Sequence, residues 1–218
     1  AGLAETIRTH LDGEERVGLP AILGLEEPTA VRRDLEGGLG VDVFEVPAGP
    51  PSLPGIRLAN QLETARREAG VRLTLGCPII DFERENDTVD TVIVDRGGSR
   101  GTYRAEQYVL ATGGLVGGGV EADRERVREP VFGCHVPHPT DRDDWAASDP
   151  FGDHAFARFG LDVDHNLRPL GTDGTVEYAN LRAAGAVLGG ADFASEKSGS
   201  GISLATGRLA GTRAGEAT

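Results

Sequence analysis

The chain has no methionine, not even at position 1, where it carries Ala1. We therefore expect it to begin inside a longer gene product whose N-terminal part is absent. Cysteine is almost as scarce: Cys77 and Cys134 are far apart and lack metal-ligand spacing. That argues against a disulfide framework or a zinc site and suits two small buried thiols in a reducing cytoplasm. No run approaches the roughly twenty apolar residues that a membrane span needs, and the first residues lack a basic-then-apolar leader pattern. Lysine is represented by Lys197 alone, so every other basic residue is arginine. The 35 acidic residues against 22 basic ones give a formal charge of -13, which argues against a nucleic-acid partner because phosphates would be repelled. The lysine-poor, acid-rich balance fits a protein that stays soluble in high salt, and equally an ordinary acidic protein from a GC-rich genome.

Glycine is abundant instead, at 32 residues, and its placement is the most informative feature. The run Tyr108 to Leu110 is apolar and leads into Ala111-Thr112-Gly113-Gly114, which reads as a buried strand ending where backbone can approach a ligand closely. A second run, Leu181 to Gly190, reads the same way and contains Gly185. It is trailed by Ser198-Gly199-Ser200-Gly201 and a segment of helical spacing at Ile202, Leu204, Leu209 and Ala210. Two strand-to-glycine junctions, one feeding a helix N-terminus, suggest a single nucleotide or flavin site; the plainer reading is two tight turns in an α/β core.

In chain order, Leu3, Ile7 and Leu11 suit the tail of an amphipathic helix, and Arg16 to Gly24 a short strand and loop. A helix is expected from Glu26-Glu27-Pro28, stopped by Gly37-Gly38, and then a strand over Val41 to Val46. Pro47 to Gly55 is too proline-rich for regular structure. The following helix, to Glu68, places Ile56, Ala59, Leu62 and Ala65 on one face and Arg57 near its start. There a cation works against the helix dipole unless it binds an anion alongside the free amides, so Arg57 is a candidate phosphate or carboxylate ligand. Val71–Leu75, Ile79–Glu85, Thr88–Asp95, Gly101–Ala105 and Gln107–Thr112 all read as strands, with turns at Asn86-Asp87 and Gly97-Gly98. His135, His138, His154 and His165 lie in a loop-rich region without metal-ligand spacing, so no metal site is expected. Trp145 and the acidic run from Asp141 to Asp149 form a polar loop.

Several blocks then occur in a telling order. They are Pro50 to Leu62 with Arg57 and Asn60, Ala111-Thr112-Gly113-Gly114, Val127-Arg128-Glu129-Pro130-Val131-Phe132-Gly133, Leu167-Arg168-Pro169, and Ala184 to Gly190. Together they resemble the B-subunit family of anaerobic glycerol-3-phosphate dehydrogenases, over nearly the whole chain from about Arg16 to Ala210. With the lysine-poor composition, the resemblance points to a haloarchaeal member. Glu196-Lys197-Ser198-Gly199-Ser200-Gly201 departs from it, being more polar than the glycine-rich run expected there.

The resemblance implies a flavin-binding polypeptide, with FMN or FAD, that pairs with a catalytic flavoprotein A subunit and an iron-sulfur, membrane-associated C subunit. Such a complex oxidises sn-glycerol 3-phosphate to dihydroxyacetone phosphate, passes electrons to the quinone pool, and sits on the cytoplasmic face of the membrane through its partners. The fold it implies is α/β: a partial Rossmann-like FAD/NAD(P)-binding fold with an antiparallel β-meander insertion, lacking the N-terminal dinucleotide-fingerprint strand. Its regions are an α/β segment over 1–70, the meander and return strand over 71–112, and a cap and flavin-contacting strand-helix over 113–218. Expected cofactor contacts are Ala111, Thr112, Gly113, Gly114, Gly185, Gly199, Ser200, Gly201 and Ile202. Proton abstraction from an alcohol needs a base, and phosphate binding needs arginines, which makes His135, Arg57, Arg128 and Arg168 the candidate catalytic group. Two alternatives stay open: a flavin oxidoreductase of the succinate dehydrogenase and fumarate reductase type, or a scaffold protein that only binds the catalytic chain.

Overall fold

The computed structural model describes residues 2–47 and 49–218. It divides into two compact units, Ala1–Thr74 and Leu75–Thr218.

The first unit opens with α1 (Leu3–Arg8), followed by β1 (Arg16–Pro20), α2 (Pro28–Leu39), β2 (Asp42–Val46) and α3 (Leu53–Glu68). The two strands pair in parallel, from Arg16 opposite Asp42 to Pro20 opposite Val46, with α2 as the crossover. Its core is small: Val17, Leu23, Leu35 and Val43 are buried, with Ile7, Leu11 and Leu39 packed against them. Proline does occupy the first position of α2, but Gly37-Gly38 do not stop it. The helix continues to Leu39, and Gly40 in the left-handed region ends it, donating its amide to Glu36 O at 2.8 Å. Gly38 serves packing instead, since a Cβ there would meet the Ala4 methyl at 3.2 Å.

Part of the proline-rich stretch is helical, because α3 begins at Leu53, with Pro54 in its first turn and Ser52 Oγ accepting the Gly55 amide at 3.2 Å. Ala48 of that stretch lies outside the described residues. The apolar face of α3 is not its packed face: Ile56 and Leu62 are exposed, whereas Arg57, Glu63 and Arg66 are half-buried. Polar side chains thus tether this helix within its unit.

The strand expected over Val71–Leu75, four residues of which close the first unit, does not form: the span has no regular pairing partner among the described residues. Then β3 (Ile79–Glu85), β4 (Thr88–Asp95) and β5 (Arg100–Arg104) form an antiparallel meander. Its turns fall at Asn86-Asp87 and Gly97-Gly98, with Asn86, Gly97 and Gly98 at positive φ. The next strand, β6 (Tyr108–Leu110), does not extend that meander. A short hairpin of β7 (Glu121–Ala122) and β8 (Val127–Arg128) follows, and β9 (Leu181–Ala183) then pairs with β6 in parallel, Tyr108 opposite Leu181. The second apolar run is a strand for only three residues; from Gly185 to Val187 it coils into one 3₁₀ turn. Finally come α4 (Phe193–Glu196) and the long α5 (Gly199–Glu216).

Two polar side chains fasten the meander to the β6–β9 pair. Buried Asn180 accepts the Val89 amide at 2.9 Å and donates to Val89 O at 2.8 Å and Glu106 O at 3.1 Å. The Tyr108 hydroxyl donates to Asp90 O at 2.8 Å and accepts the Ala105 amide. Around these bonds lies the main core, where Leu110, Leu161, Leu181, Ala183 and Val187 are almost wholly buried. Edge-on contacts of Phe82 with Phe132 and Tyr178 extend it. The fold is therefore mixed α/β with an antiparallel sheet, as expected, and its parallel strand pair ends at both glycine junctions.

Candidate functional site

The C-terminal ends of β6 and β9 lie side by side, so the glycines that follow each strand meet. Gly113 (φ +85°) turns the chain after β6, and the loop folds back so tightly that a Cβ on Gly119 would lie 1.9 Å from Gly113 O. A Cβ on Gly114 would lie 2.7 Å from Ala186 O, in the turn after β9. Close approach of two backbones, rather than a single glycine's freedom, explains this composition.

On the other side of the β9 turn stands α5. Gly185, also at positive φ, donates its amide to Thr206 Oγ1 at 2.9 Å, and that hydroxyl donates to Ile202 O at 2.6 Å. One side chain therefore fixes the glycine turn against the first turns of the helix. The amides of Gly199, Ser200 and Gly201 make no hydrogen bond, and Ser198 gives no side-chain cap. The N-terminus of an 18-residue helix thus presents free donors and the positive end of its dipole.

Between these parts lies a cavity of ≈ 530 Å³, lined by Gly113, Gly114, Leu115, Val116, Gly117, Phe156, Ala157, Phe159, Ala186, Asp192, Phe193, Ala194, Gly199 and Ser203. Every lining residue belongs to the second unit. An apolar hollow of a few hundred cubic ångströms with a small set of polar groups is what a flat aromatic ligand needs. By contrast, a larger groove of ≈ 680 Å³ beside the meander is lined by Glu85, Asp87, Asp90 and Glu106, which suits neither a flat apolar ring nor an anion. Asp192 is the one carboxylate at the apolar cavity, and it is engaged in accepting the Ala194 and Ser195 amides at the start of α4.

The structure brings together only some of the residues singled out in the sequence. Gly113, Gly114 and Gly199 line the cavity; Gly185 precedes the lining residue Ala186; and Ser200, Gly201 and Ile202 complete the first turn of α5 without lining it. Ala111 and Thr112 are exposed at the end of β6. The four candidate catalytic residues do not line this cavity.

Arg57 is held within the first unit. Its guanidinium contacts both oxygens of Glu45, at 2.5 and 3.0 Å, and donates through Nε to Gly24 O at 2.7 Å. Glu45 also accepts the Leu23 amide, and the Arg57 bond keeps its carboxyl below the usual range. Arg128 pairs with Glu121 at 2.7 Å and lines a neighbouring groove that shares Leu115 with the cavity. His135 is half-buried, its amide shared between the two oxygens of Glu177 at 3.2 Å. Arg168 makes two bonds to Asp164, at 2.9 and 2.7 Å. Among the described residues no group of three or more His, Cys, Asp or Glu side chains is placed to hold a metal ion.

Sequence reading missed the aromatic wall of Phe156, Phe159 and Phe193, which comes from one 3₁₀ turn and its cap and from a one-turn helix, without usable periodicity. It also missed Thr206, whose spacing of four from Ile202 was visible but whose partner Gly185 is 21 residues away. In the block Val127 to Gly133, the decisive side chain is Glu129 rather than Arg128. Glu129 is 1% exposed and accepts the amides of Val131 at 2.6 Å, Phe132 at 2.8 Å and Cys134 at 3.3 Å. Burial pushes its carboxyl above the usual range despite those bonds, and burial likewise pushes up the Cys134 thiol.

With this geometry in view, comparison with known proteins is informative. The chain matches the family described as FAD binding domain across residues 1–202. It belongs to that family. It is 54% identical over 215 residues to a Halobacterium salinarum protein named as the probable B subunit of an anaerobic glycerol-3-phosphate dehydrogenase, covering 99% of this chain and 50% of the relative. It is 33% identical over 205 residues to the B subunit of the anaerobic glycerol-3-phosphate dehydrogenase of Pectobacterium atrosepticum, covering 94% of this chain and 47% of the relative. The namesake from Yersinia pseudotuberculosis is 32% identical over 202 residues, covering 93% and 47%. The chain thus spans about half the length of the curated relatives it matches. No solved structure matches. Family membership makes FAD the cofactor to test against the cavity. Its residues fit: apolar side chains for the flat isoalloxazine ring, and unpaired amides of α5 for the carbonyl oxygens at its polar edge.

Proposed function

We propose that this chain carries the flavin-contacting part of the B subunit of a respiratory sn-glycerol-3-phosphate dehydrogenase. The observation that carries the reading is the apolar cavity where Gly113 and Gly114, the Ala186 turn and the N-terminus of α5 converge, in a chain of the FAD-binding-domain family. The bound flavin supplies the chemistry of accepting a hydride or two electrons and passing them on singly. The protein's own residues do the rest. Gly113, Gly114 and Ala186 would hold the flavin close to backbone, Phe156, Phe159 and Phe193 would exclude water, and the free amides of Gly199 to Gly201 would favour negative charge on it.

In this reading the complex oxidises glycerol 3-phosphate to dihydroxyacetone phosphate and delivers electrons to the quinone pool, with a catalytic A subunit and an iron-sulfur C subunit as partners. The protein is peripheral to the inner face of the membrane, held there by those partners; among the described residues no helix is long and apolar enough to cross a membrane. The fold is a Rossmann-like flavoprotein fold with β3–β5 as its antiparallel insertion. The similarity to proteins named as this component of the enzyme supports the substrate assignment. None of Arg57, Arg128, His135 and Arg168 lines the cavity, which favours attributing the chemical step to the catalytic partner.

The test is co-expression of the full-length protein with its candidate partners, identification of the released flavin, and a dye-linked glycerol 3-phosphate assay. FAD in the protein and turnover by the complex are expected. An intact, flavin-loaded complex that does not turn over glycerol 3-phosphate would refute the substrate assignment.

A further inference from the structure

Outside the cavity, three arginines of the second unit come from neighbouring segments: Arg168 from a loop, Arg182 from β9 and Arg213 from α5. Leu181 and Ala183 of β9 point into the main core, so Arg182 points to the opposite face together with Ala184. That face is covered by α5, where buried Ala210 packs with Ala184 and Leu167. Arg213 lies three residues beyond Ala210, on the same side of the helix. Arg168 is brought alongside by the bond from the Ala183 amide to Leu167 O at 2.8 Å.

Arg182 is 6% exposed, yet its one side-chain hydrogen bond runs from Nη1 to Gln107 Oε1. Its Nε is buried without a partner, and so is the Nε of Arg213. Its Nη2 is also unbonded but is not sealed from solvent. Arg168 is paired with Asp164 through Nε and Nη2, leaving Nη1 spare, and Arg213 with Glu216 through Nη1, leaving Nε and Nη2 spare. Among the described residues no carboxylate bonds to Arg182. Burial, then the neighbouring charge of Arg168, and then that of Arg213, depress its pKa, while Asp164 opposes them.

A chain with a formal charge of -13 thus leaves Arg182, the one buried cation among the described residues, without a carboxylate bonded to it. Burying a charge is unfavourable unless an opposite charge and hydrogen bonds accompany it. Spare donors on three guanidinium forks match the oxygens of a tetrahedral anion, which arginine binds through more than one of its N–H groups.

We propose that Arg168, Arg182 and Arg213 form a binding site for a small phosphate-class oxyanion, distinct from the flavin cavity and independent of the assignment made to it. Inorganic phosphate is the probe, titrated calorimetrically into the intact protein at constant ionic strength set with chloride, with acetate as the carboxylate comparison. One saturable phosphate site is expected, weakened about tenfold, or about 1.4 kcal/mol, in Arg213→Gln and in Arg168→Gln, and lost in Arg182→Gln. If Arg182→Gln does not fold, the two partly exposed positions carry the test. Absence of saturable phosphate binding overturns the proposal, as does wild-type affinity in both of those variants. Acetate binding as tightly as phosphate overturns the phosphate class.

Discussion

Thr206 holds Gly185. Its hydroxyl accepts the Gly185 amide at 2.9 Å while donating to Ile202 O at 2.6 Å, which couples the turn after β9 to the first turns of α5. The two halves of the cavity rim are thereby set by one side chain that does not itself line it. Thr206→Val keeps the shape and removes both bonds; Thr206→Ser keeps both. We expect the valine variant to bind FAD about tenfold more weakly, equivalent to about 1.4 kcal/mol, and the serine variant to bind near normally. Equal affinity for all three forms, measured by flavin fluorescence, would show that the coupling does not matter.

The glycines after β6 differ in what they tolerate. A Cβ on Gly119 would overlap Gly113 O, whereas one on Gly118, which unlike Gly119 lies at positive φ, would enter open space. Gly119→Ala should therefore destabilise the protein by about 3 kcal/mol or more through backbone overlap, and Gly118→Ala by only about 1 kcal/mol through left-handed strain. Denaturant midpoints measured side by side check the ordering.

Glu129 organises the turn from Val131 to Cys134. Replacing it with alanine leaves two buried amides and one part-buried amide without an acceptor, so Glu129→Ala should cost on the order of 3 kcal/mol. Because burial raises its folded pKa, its contribution is greatest when protonated, below about pH 4.5, and diminishes as pH rises through the unfolded value and on to the folded one. Glu129→Gln should flatten that part of the pH–stability curve.

Glu45 has the opposite sign. Its folded pKa is depressed, first by the hydrogen bond from Arg57, so its stabilisation is complete above the unfolded value of about 4.5 and is lost as pH falls through the folded one. Glu45→Gln should be less stable than wild type at neutral pH and lose less on acidification. Parallel acid titrations monitored by circular dichroism would reveal this; identical slopes would contradict it.

The meander was legible because Asn86-Asp87 and Gly97-Gly98 punctuate alternating strands, and local turn chemistry determines such an element. The glycine junctions were legible too, since both mark strand ends that meet only through the parallel pairing of β6 with β9. Less visible was anything decided by partners distant in sequence. Arg57 looked like an anion ligand at a helix start, but Glu45, twelve residues earlier, occupies its fork. The apolar stripe of α3 suggested a buried face, yet the helix is tethered through its polar residues. Val71–Leu75 has strand-like residues but no neighbouring strand to pair with, and intrinsic preference alone does not make a strand.

The central claim is that the cavity beside Gly114 holds FAD. The most direct measurement is the visible absorbance spectrum of the full-length protein, purified with FAD present and freed of unbound flavin, compared with its Gly114→Val variant. A Cβ at Gly114 would run into Ala186 O, so the branched side chain must displace the cavity floor. A flavin spectrum at one FAD per chain in the wild type, lost in a folded Gly114→Val protein, is the predicted result. A folded, colourless wild type, or a variant that retains FAD at full stoichiometry and affinity, would contradict it.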